Sequence, residues 1–216
     1  MSKKYEIFLF DLDGTITDSA LGITNSVMYA LKKFGIEETD RTKLYKFIGP
    51  PLTESFEKFY GFTKEQSLDG VKYYREYYHD KGIYENRVYD GLEEVLKKIN
   101  EAGKQAIVAT LKPEEYAKII IDHFHLTKYF ACVAGMEMDG GRGTKAQVIT
   151  YALEKNDITD KSNVLMIGDR EHDVIGAHEN GLDCLGILYG FGSRKEFEEA
   201  GADYIRENVE DILQFV

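Results

Sequence analysis

The sequence predicts an α/β fold in which a doubly wound parallel sheet carries an inserted all-helical domain. Short apolar runs recur along the chain, each bounded by glycine or a charged residue, and they are hydrophobic throughout, as strands buried on both faces are. Stretches with helical periodicity separate these runs, and such alternation is typical of a parallel sheet. The predicted strands are Ile7–Phe10, Gln105–Ala109, Ala131–Ala134, Val164–Ile167 and Cys184–Leu188.

Helical patterns fill the intervals between these strands. Residues 92–99 place apolar side chains at i, i+3, i+4 and i+7, and Asp90 is expected to cap that helix. Pro113 suits the first turn of the next helix. A third stripe begins around Val148, and Lys145 opens its helix.

One segment breaks the alternation of strands and helices. Residues 16–82 contain no convincing buried strand, and a helical stripe over residues 23–34 is closed by Gly35. We therefore predict an α/β core formed by residues 1–15 and 83–216, with a helical cap domain at 16–82. The insertion is either a subdomain that packs on the sheet or a lid over the carboxyl edge of the sheet.

Composition limits the possible partners. The 216 residues include 38 acidic and 27 basic side chains, which gives a formal charge of −11. An acidic surface repels nucleic-acid polymers and anionic membrane surfaces, whereas a small anionic substrate is compatible with a few local cations. Two cysteines cannot form a disulfide framework, and no run of apolar residues is long enough to cross a membrane. We expect a cytoplasmic protein, either a monomer or a homodimer.

Polar residues collect where the predicted strands end. Because ligands of open α/β sheets bind at the carboxyl ends of strands, these side chains are expected to meet at one edge of the sheet. The set comprises Asp11, Asp13, Thr110, Lys145, Asp169 and Asp173.

Clustered carboxylates repel one another and so favour a divalent cation. Oxygen ligands without cysteine or histidine favour Mg²⁺ over zinc. A carboxylate beside Mg²⁺ and Lys145 is a competent nucleophile toward phosphorus. One of the two aspartates Asp11 and Asp13 must then carry a proton to the leaving oxygen, so their environments must differ.

Four motifs occur in order at these strand ends. They are Asp11-Leu12-Asp13-Gly14-Thr15, Thr110 after Ile107-Val108-Ala109, Lys145, and Gly168-Asp169 with Asp173. Their order and positions resemble the four motifs of the haloacid dehalogenase superfamily over essentially the whole chain, and the helical insertion is similar to the small helical cap of that superfamily.

The resemblance implies a role for each matching residue. Asp11 would be the nucleophile and Asp13 the general acid and then base, whereas Thr110 and Lys145 would bind the phosphoryl group.

The resemblance also implies a metal site. Asp11, Asp169 and the backbone carbonyl of Asp13 would hold Mg²⁺, with Asp173 in support.

Several residues indicate which branch of the superfamily the chain resembles. The dehalogenases lack the second aspartate, so Asp13 points to phosphoryl transfer. Related sugar-phosphate mutases usually have valine where this chain has Thr15, and they carry a catalytic histidine early in the cap, whereas the first histidine here is His79. The sequence thus favours a phosphatase that acts on a small phosphorylated metabolite through a phospho-Asp11 intermediate. A phosphosugar mutase, a pyrophosphatase and a catalytically idle binding or regulatory protein are the alternatives.

Two further segments resemble phosphoglycolate phosphatases and related 5′-nucleotidases. They are Ile48-Gly49-Pro50-Pro51-Leu52 and Tyr89-Asp90-Gly91-Leu92. Gly49 either belongs to a simple turn between cap helices or, as the resemblance implies, contacts the substrate. Leu111 departs from the usual small polar residue after Thr110, and Arg170 is not a general feature of the superfamily.

Overall fold

The central feature of the computed structural model, which describes residues 3–216, is a six-stranded parallel sheet. The strands of the chain are β1 (Ile7–Phe10), β2 (Thr17–Asp18), β3 (Arg87–Val88), β4 (Gln105–Pro113), β5 (Phe130–Met136), β6 (Val164–Gly168), β7 (Asp183–Ile187) and β8 (Tyr204–Arg206). The order in the sheet is β5-β4-β1-β6-β7-β8, while β2 and β3 form a separate two-stranded sheet. The predicted fold class is confirmed.

Helices connect these strands. They are α1 (Ala20–Lys33), α2 (Leu52–Tyr60), α3 (Lys64–Asp80), α4 (Leu92–Glu101), α5 (Glu114–His123), α6 (Lys145–Lys155), α7 (Glu171–Glu179) and α8 (Arg194–Ala200). Within residues 3–216, no helix combines the length and apolarity needed to span a membrane.

The strand order places a topological switch point at β1. The chain runs outward from β1 to β4 and β5, and then returns to β6 on the other side. Phe10, the last residue of β1, is in register with Val108 of β4 and Ile167 of β6. The segments that follow these three strands therefore lie side by side, where open α/β sheets bind their ligands.

Apolar side chains bury the sheet against its helices. Leu9 and Met166 of the central strands join Val148 of α6 and Val174 of α7 in one fully buried cluster. Each such side chain contributes about 1.5–3 kcal/mol when it leaves water. This packing holds the start of α6 and α7 close to the ends of β4 and β6.

Three local predictions were wrong. Strand β4 continues past Thr110 to Pro113 through an irregularity in its pairing with β5. Helix α4 has Gly91, with φ 83°, at its N-cap, so Asp90 lies one residue too early to cap it. Strand β8 was missed because its three residues are only half-buried and end in Arg206, so they form no continuous apolar run.

Residues 18–87 form a second compact unit, separate from the unit formed by 1–17 and 88–216. These breaks fall later than the predicted boundaries at 15/16 and 82/83. The segment after Gly82 contacts α1, since Gly22 donates a hydrogen bond from its backbone N to the carbonyl oxygen of Glu85. A Cβ atom on Gly22 would lie 1.9 Å from the carbonyl oxygen of Gly82, so this close approach requires glycine.

Candidate active site

Three buried carboxylates converge at the switch point. Asp11 directly follows β1, Asp169 directly follows β6, and Asp173 lies in the first turn of α7. One oxygen from each lies within 4.8 Å of the others, and all three side chains are almost completely shielded from solvent. The ends of β1 and β6 and the start of α7 thus bring these three carboxylates together.

Lys145 lies among these carboxylates. Its ammonium is 2.9 Å from Oδ1 of Asp11 and 2.7 Å from Oδ1 of Asp173, and it donates a 2.9 Å hydrogen bond to the carbonyl oxygen of Ala109. Gly176 of α7 leaves room for the aliphatic part of this lysine, since a Cβ there would lie 2.7 Å from its Cγ.

The start of α6 fixes Lys145 at the site. Thr144 and Gln147 form a reciprocal capping box that begins the helix at Lys145. Changes to this cap would therefore move the lysine together with the first helical turn.

Asp13 has a different cation from Asp11. Both of its carboxylate oxygens receive hydrogen bonds from the ammonium of Lys112, at 3.0 and 2.8 Å. Lys112 is not among the predicted site residues, because β4 was expected to end before it. Had β4 been extended to Pro113, the two-residue periodicity of a strand would have placed Lys112 on the face of Thr110.

Thr110 is buried beside Lys112. Its Oγ1 accepts a 3.2 Å hydrogen bond from the backbone N of Lys112. Leu111 between them packs against the apolar cluster under the sheet, so its side chain belongs to the core. Thr110 thus lies on the strand adjacent to β1, close in sequence to the partner of Asp13.

Gly49 lies outside the α/β unit that contains these side chains. It lies in residues 18–87, with φ 102°, in the turn between the 3-10 helix Arg41–Phe47 and α2. That conformation favours glycine at this position.

The backbone around Asp169 is closely packed. The backbone N of Phe191 donates a 2.9 Å hydrogen bond to Oδ2 of Asp169. A Cβ atom on Gly14 would lie 2.1 Å from that oxygen, and one on Gly190 would lie 2.4 Å from Cβ of Asp169. The other oxygen, Oδ1, is buried and has no hydrogen-bond partner within residues 3–216.

Arg170 acts through its main chain and through a carboxylate outside the cluster. Its backbone N donates a 3.1 Å hydrogen bond to Oδ2 of Asp173, and its Nε donates a 2.8 Å bond to Glu196. Arg170 therefore holds the start of α7 and orients Asp173.

Burial sets the charge balance of the site. It raises the pKa of Asp169 well above its usual value, and the neighbouring carboxylates of Asp173 and Asp11 add to that shift. Burial also raises the pKa of Asp173, to about 6. Burial alone would lower the pKa of the Lys145 ammonium, but Asp11 and Asp173 outweigh it and raise this pKa.

The residues present fit a divalent cation. With every group ionised, four aspartates (Asp11, Asp13, Asp169, Asp173) and two lysines (Lys112, Lys145) leave a formal charge of −4 + 2 = −2. A hard cation would satisfy the unpartnered Oδ1 of Asp169, and the donors in the cluster are oxygens. This donor set suits Mg²⁺ better than zinc.

We expect the Asp173 carboxyl group to make the metal-free protein less stable as the pH rises. An acid with a raised folded-state pKa stabilises the fold below its unfolded-state pKa, about 4, and loses that contribution as the pH rises through the folded-state value. That value is about 6 for Asp173. In EDTA, the free energy of unfolding of the wild type should therefore fall relative to that of Asp173→Asn between about pH 4 and pH 7.

Urea unfolding at several pH values measures this difference. Asp122→Asn, a change at an exposed aspartate of α5, is the control. A difference between wild type and Asp173→Asn that stays constant over this range would contradict the expectation.

Comparison with known proteins gives consistent similarities. A model of the family described as haloacid dehalogenase-like hydrolases matches residues 8–187. A 5′-nucleotidase of Pseudomonas aeruginosa is 44% identical over 193 residues, which cover 89% of this chain and 87% of that protein. The tyrosine-protein kinase PtkA of Mycobacterium tuberculosis is 34% identical over 87% of this chain, which spans 63% of the kinase. The crystal structure of a predicted phosphatase from Clostridium acetobutylicum matches with a TM-score of 0.95 and 47% identity, covering 98% of each chain.

Proposed function

This chain belongs to the haloacid dehalogenase-like hydrolase family, and we propose that it is a Mg²⁺-dependent phosphatase that hydrolyses a small phosphomonoester through phosphorylated Asp11. These similarities confirm the family that the four sequence motifs resemble. The observation that carries the mechanism is the pairing of two neighbouring aspartates with two different lysines, Asp11 with Lys145 and Asp13 with Lys112.

Four residues would hold the metal. Asp11, Asp169 and the backbone carbonyl of Asp13 are the proposed ligands, and Asp173 supports them through its contact with Lys145. When bound, Mg²⁺ neutralises negative charge on the phosphoryl group and on the carboxylates around it.

In the first step, a carboxylate oxygen of Asp11 attacks phosphorus and the bond from phosphorus to the ester oxygen breaks. Asp13 gives its proton to the departing oxygen, so the alcohol leaves neutral. The ammonium of Lys145 is 2.9 Å from Asp11, close enough to stabilise charge on the transferring group. The hydroxyl of Thr110 donates a hydrogen bond to a phosphoryl oxygen.

In the second step, water attacks phosphorus in the acyl phosphate. Asp13, now a carboxylate, takes a proton from that water, and the bond from phosphorus to Asp11 breaks. Inorganic phosphate leaves and both aspartates return to their starting states. The different lysine partners give the two aspartates the different environments that these roles need.

The substrate is proposed to be a nucleoside 5′-monophosphate or a small phosphorylated acid such as phosphoglycolate. The name of the Pseudomonas relative supports the nucleotide, and the segments around Gly49 and Gly91 support both branches. We propose that the helical unit of residues 18–87 determines substrate specificity and that Gly49 contacts the substrate. We further propose that the enzyme acts in the cytoplasm, as a monomer or homodimer, on a small metabolite.

A phosphate-release screen tests this function. The panel contains nucleoside 5′-monophosphates, phosphoglycolate, sugar phosphates and pyrophosphate, each with Mg²⁺, and Asp11→Asn is the blank. We expect release from a subset of the phosphomonoesters. Turnover of pyrophosphate alone would favour the pyrophosphatase alternative, and no release above the blank from any compound would contradict a phosphatase.

A further inference from the structure

We propose that Lys112 is a positioning residue that orients the carboxyl group of Asp13 for proton transfer to the leaving oxygen. This inference rests on the proposed phosphatase function and extends it to a residue outside the four motifs. Lys112 contacts both carboxylate oxygens of Asp13, at 3.0 and 2.8 Å, and both side chains are nearly buried.

Asp13 needs such an anchor because it lies on a turn. It follows β1 by three residues and precedes Gly14, whose φ is 85°. Lys112 lies instead on β4, which lies between β5 and β1 in the sheet. An ammonium that contacts both oxygens fixes the plane of the carboxyl group relative to that strand.

Lys145 cannot serve both aspartates. An ammonium has three N–H donors. Those of Lys145 are within reach of three oxygens, on Asp11, Asp173 and Ala109. Within residues 3–216, Lys112 is the one cation in an ion pair with Asp13.

A contribution to stability alone does not explain this pair. Buried ion pairs add little net stability, because removing two charges from water offsets most of their attraction. At Asp13 the contact also fixes geometry, because the carbonyl oxygen of the protonated carboxyl group can still accept a hydrogen bond from the Lys112 ammonium.

The dependence of the rate on the leaving group distinguishes positioning of Asp13 from binding of the phosphoryl group. Proton donation matters greatly when the departing oxygen is basic and little when it is a good leaving group. The parameter kcat/KM includes steps only up to release of the alcohol, so it reports the step in which Asp13 acts as an acid. Phenyl phosphate and p-nitrophenyl phosphate are similar in size and differ mainly in the basicity of the leaving oxygen.

The experiment measures kcat/KM of Lys112→Met for both compounds in Mg²⁺. We expect a loss of about 10²-fold for phenyl phosphate and a loss at least about tenfold smaller for p-nitrophenyl phosphate. Lys112→Arg should recover much of the difference, because guanidinium can donate two parallel hydrogen bonds to a carboxylate. Lys112→Gln replaces the methionine variant if the latter does not fold.

Lys104→Met is the matched control. Lys104 immediately precedes the same strand, is also mostly buried, and donates to the carbonyl oxygen of Tyr5. Its loss should leave the ratio between the two compounds unchanged.

Equal losses for both compounds, or no loss, would overturn the positioning role. Equal losses would mean instead that Lys112 binds the phosphoryl group common to both. Failure of the proposed function looks different: the wild type then releases no phosphate, or Asp11→Asn releases as much as the wild type, and both proposals fall together.

Discussion

Replacing Asp11 with asparagine should abolish phosphate release and leave the fold intact. An amide is a far poorer nucleophile toward phosphorus than a carboxylate, so the first covalent step is lost. We expect kcat/KM to fall by about 10⁴-fold or more, the scale seen when a nucleophile is removed. Lys145 retains Asp173 and the carbonyl oxygen of Ala109, which preserves the local structure.

Steady-state kinetics with p-nitrophenyl phosphate measure the effect, and urea unfolding shows that the variant is folded. Asp122→Asn makes the same chemical change at an exposed position and should retain wild-type activity. Turnover by Asp11→Asn within about tenfold of the wild type would remove Asp11 as the nucleophile.

Removal of divalent metal should have the second-largest effect. The site has more buried carboxylates than lysines, and Oδ1 of Asp169 has no hydrogen-bond partner within residues 3–216. The negative charge of a phosphoryl group therefore adds to an excess of negative charge that is already present. EDTA should therefore lower activity by about 10³-fold, because a metal ion lowers the free energy of the charged transition state by several kcal/mol. Mg²⁺ should restore it and Ca²⁺ should not, since Ca²⁺ accepts longer and less regular coordination.

Asp169→Asn tests the position of the metal. We expect the Mg²⁺ concentration for half-maximal activity to rise by about tenfold or more, since outer-shell changes alone cost that much. The Mg²⁺-induced rise in Tm gives a readout independent of activity and should shrink in this variant. Full activity in EDTA, or an unchanged Mg²⁺ response in Asp169→Asn, would contradict the proposed metal site.

The residues that the sequence could predict are those placed by strand ends. Asp11 and Asp169 follow apolar runs, and parallel strands bring the ends of such runs to one edge. Lys145 begins a helix whose apolar stripe packs under that edge. For these residues, local patterns and the topology rule together determine the position.

The features missed depend on tertiary detail. Lys112 reaches the site because β4 continues through an irregularity in its pairing, and no periodicity marks such an extension. The orientation of Asp173 depends on the backbone N–H of Arg170, which every residue type except proline supplies. Backbone atoms make the contact between Gly22 and Glu85, and composition does not reveal such a contact.

Trapping the covalent intermediate tests the central claim most directly. The wild type is mixed with ³²P-labelled p-nitrophenyl phosphate and Mg²⁺, quenched in acid within milliseconds, and digested for peptide mapping. We predict label on the peptide that contains Asp11, stable to acid and lost in alkali, and no label in Asp11→Asn. Substantial turnover without any labelled peptide, or label at another residue, would contradict phosphoryl transfer through Asp11.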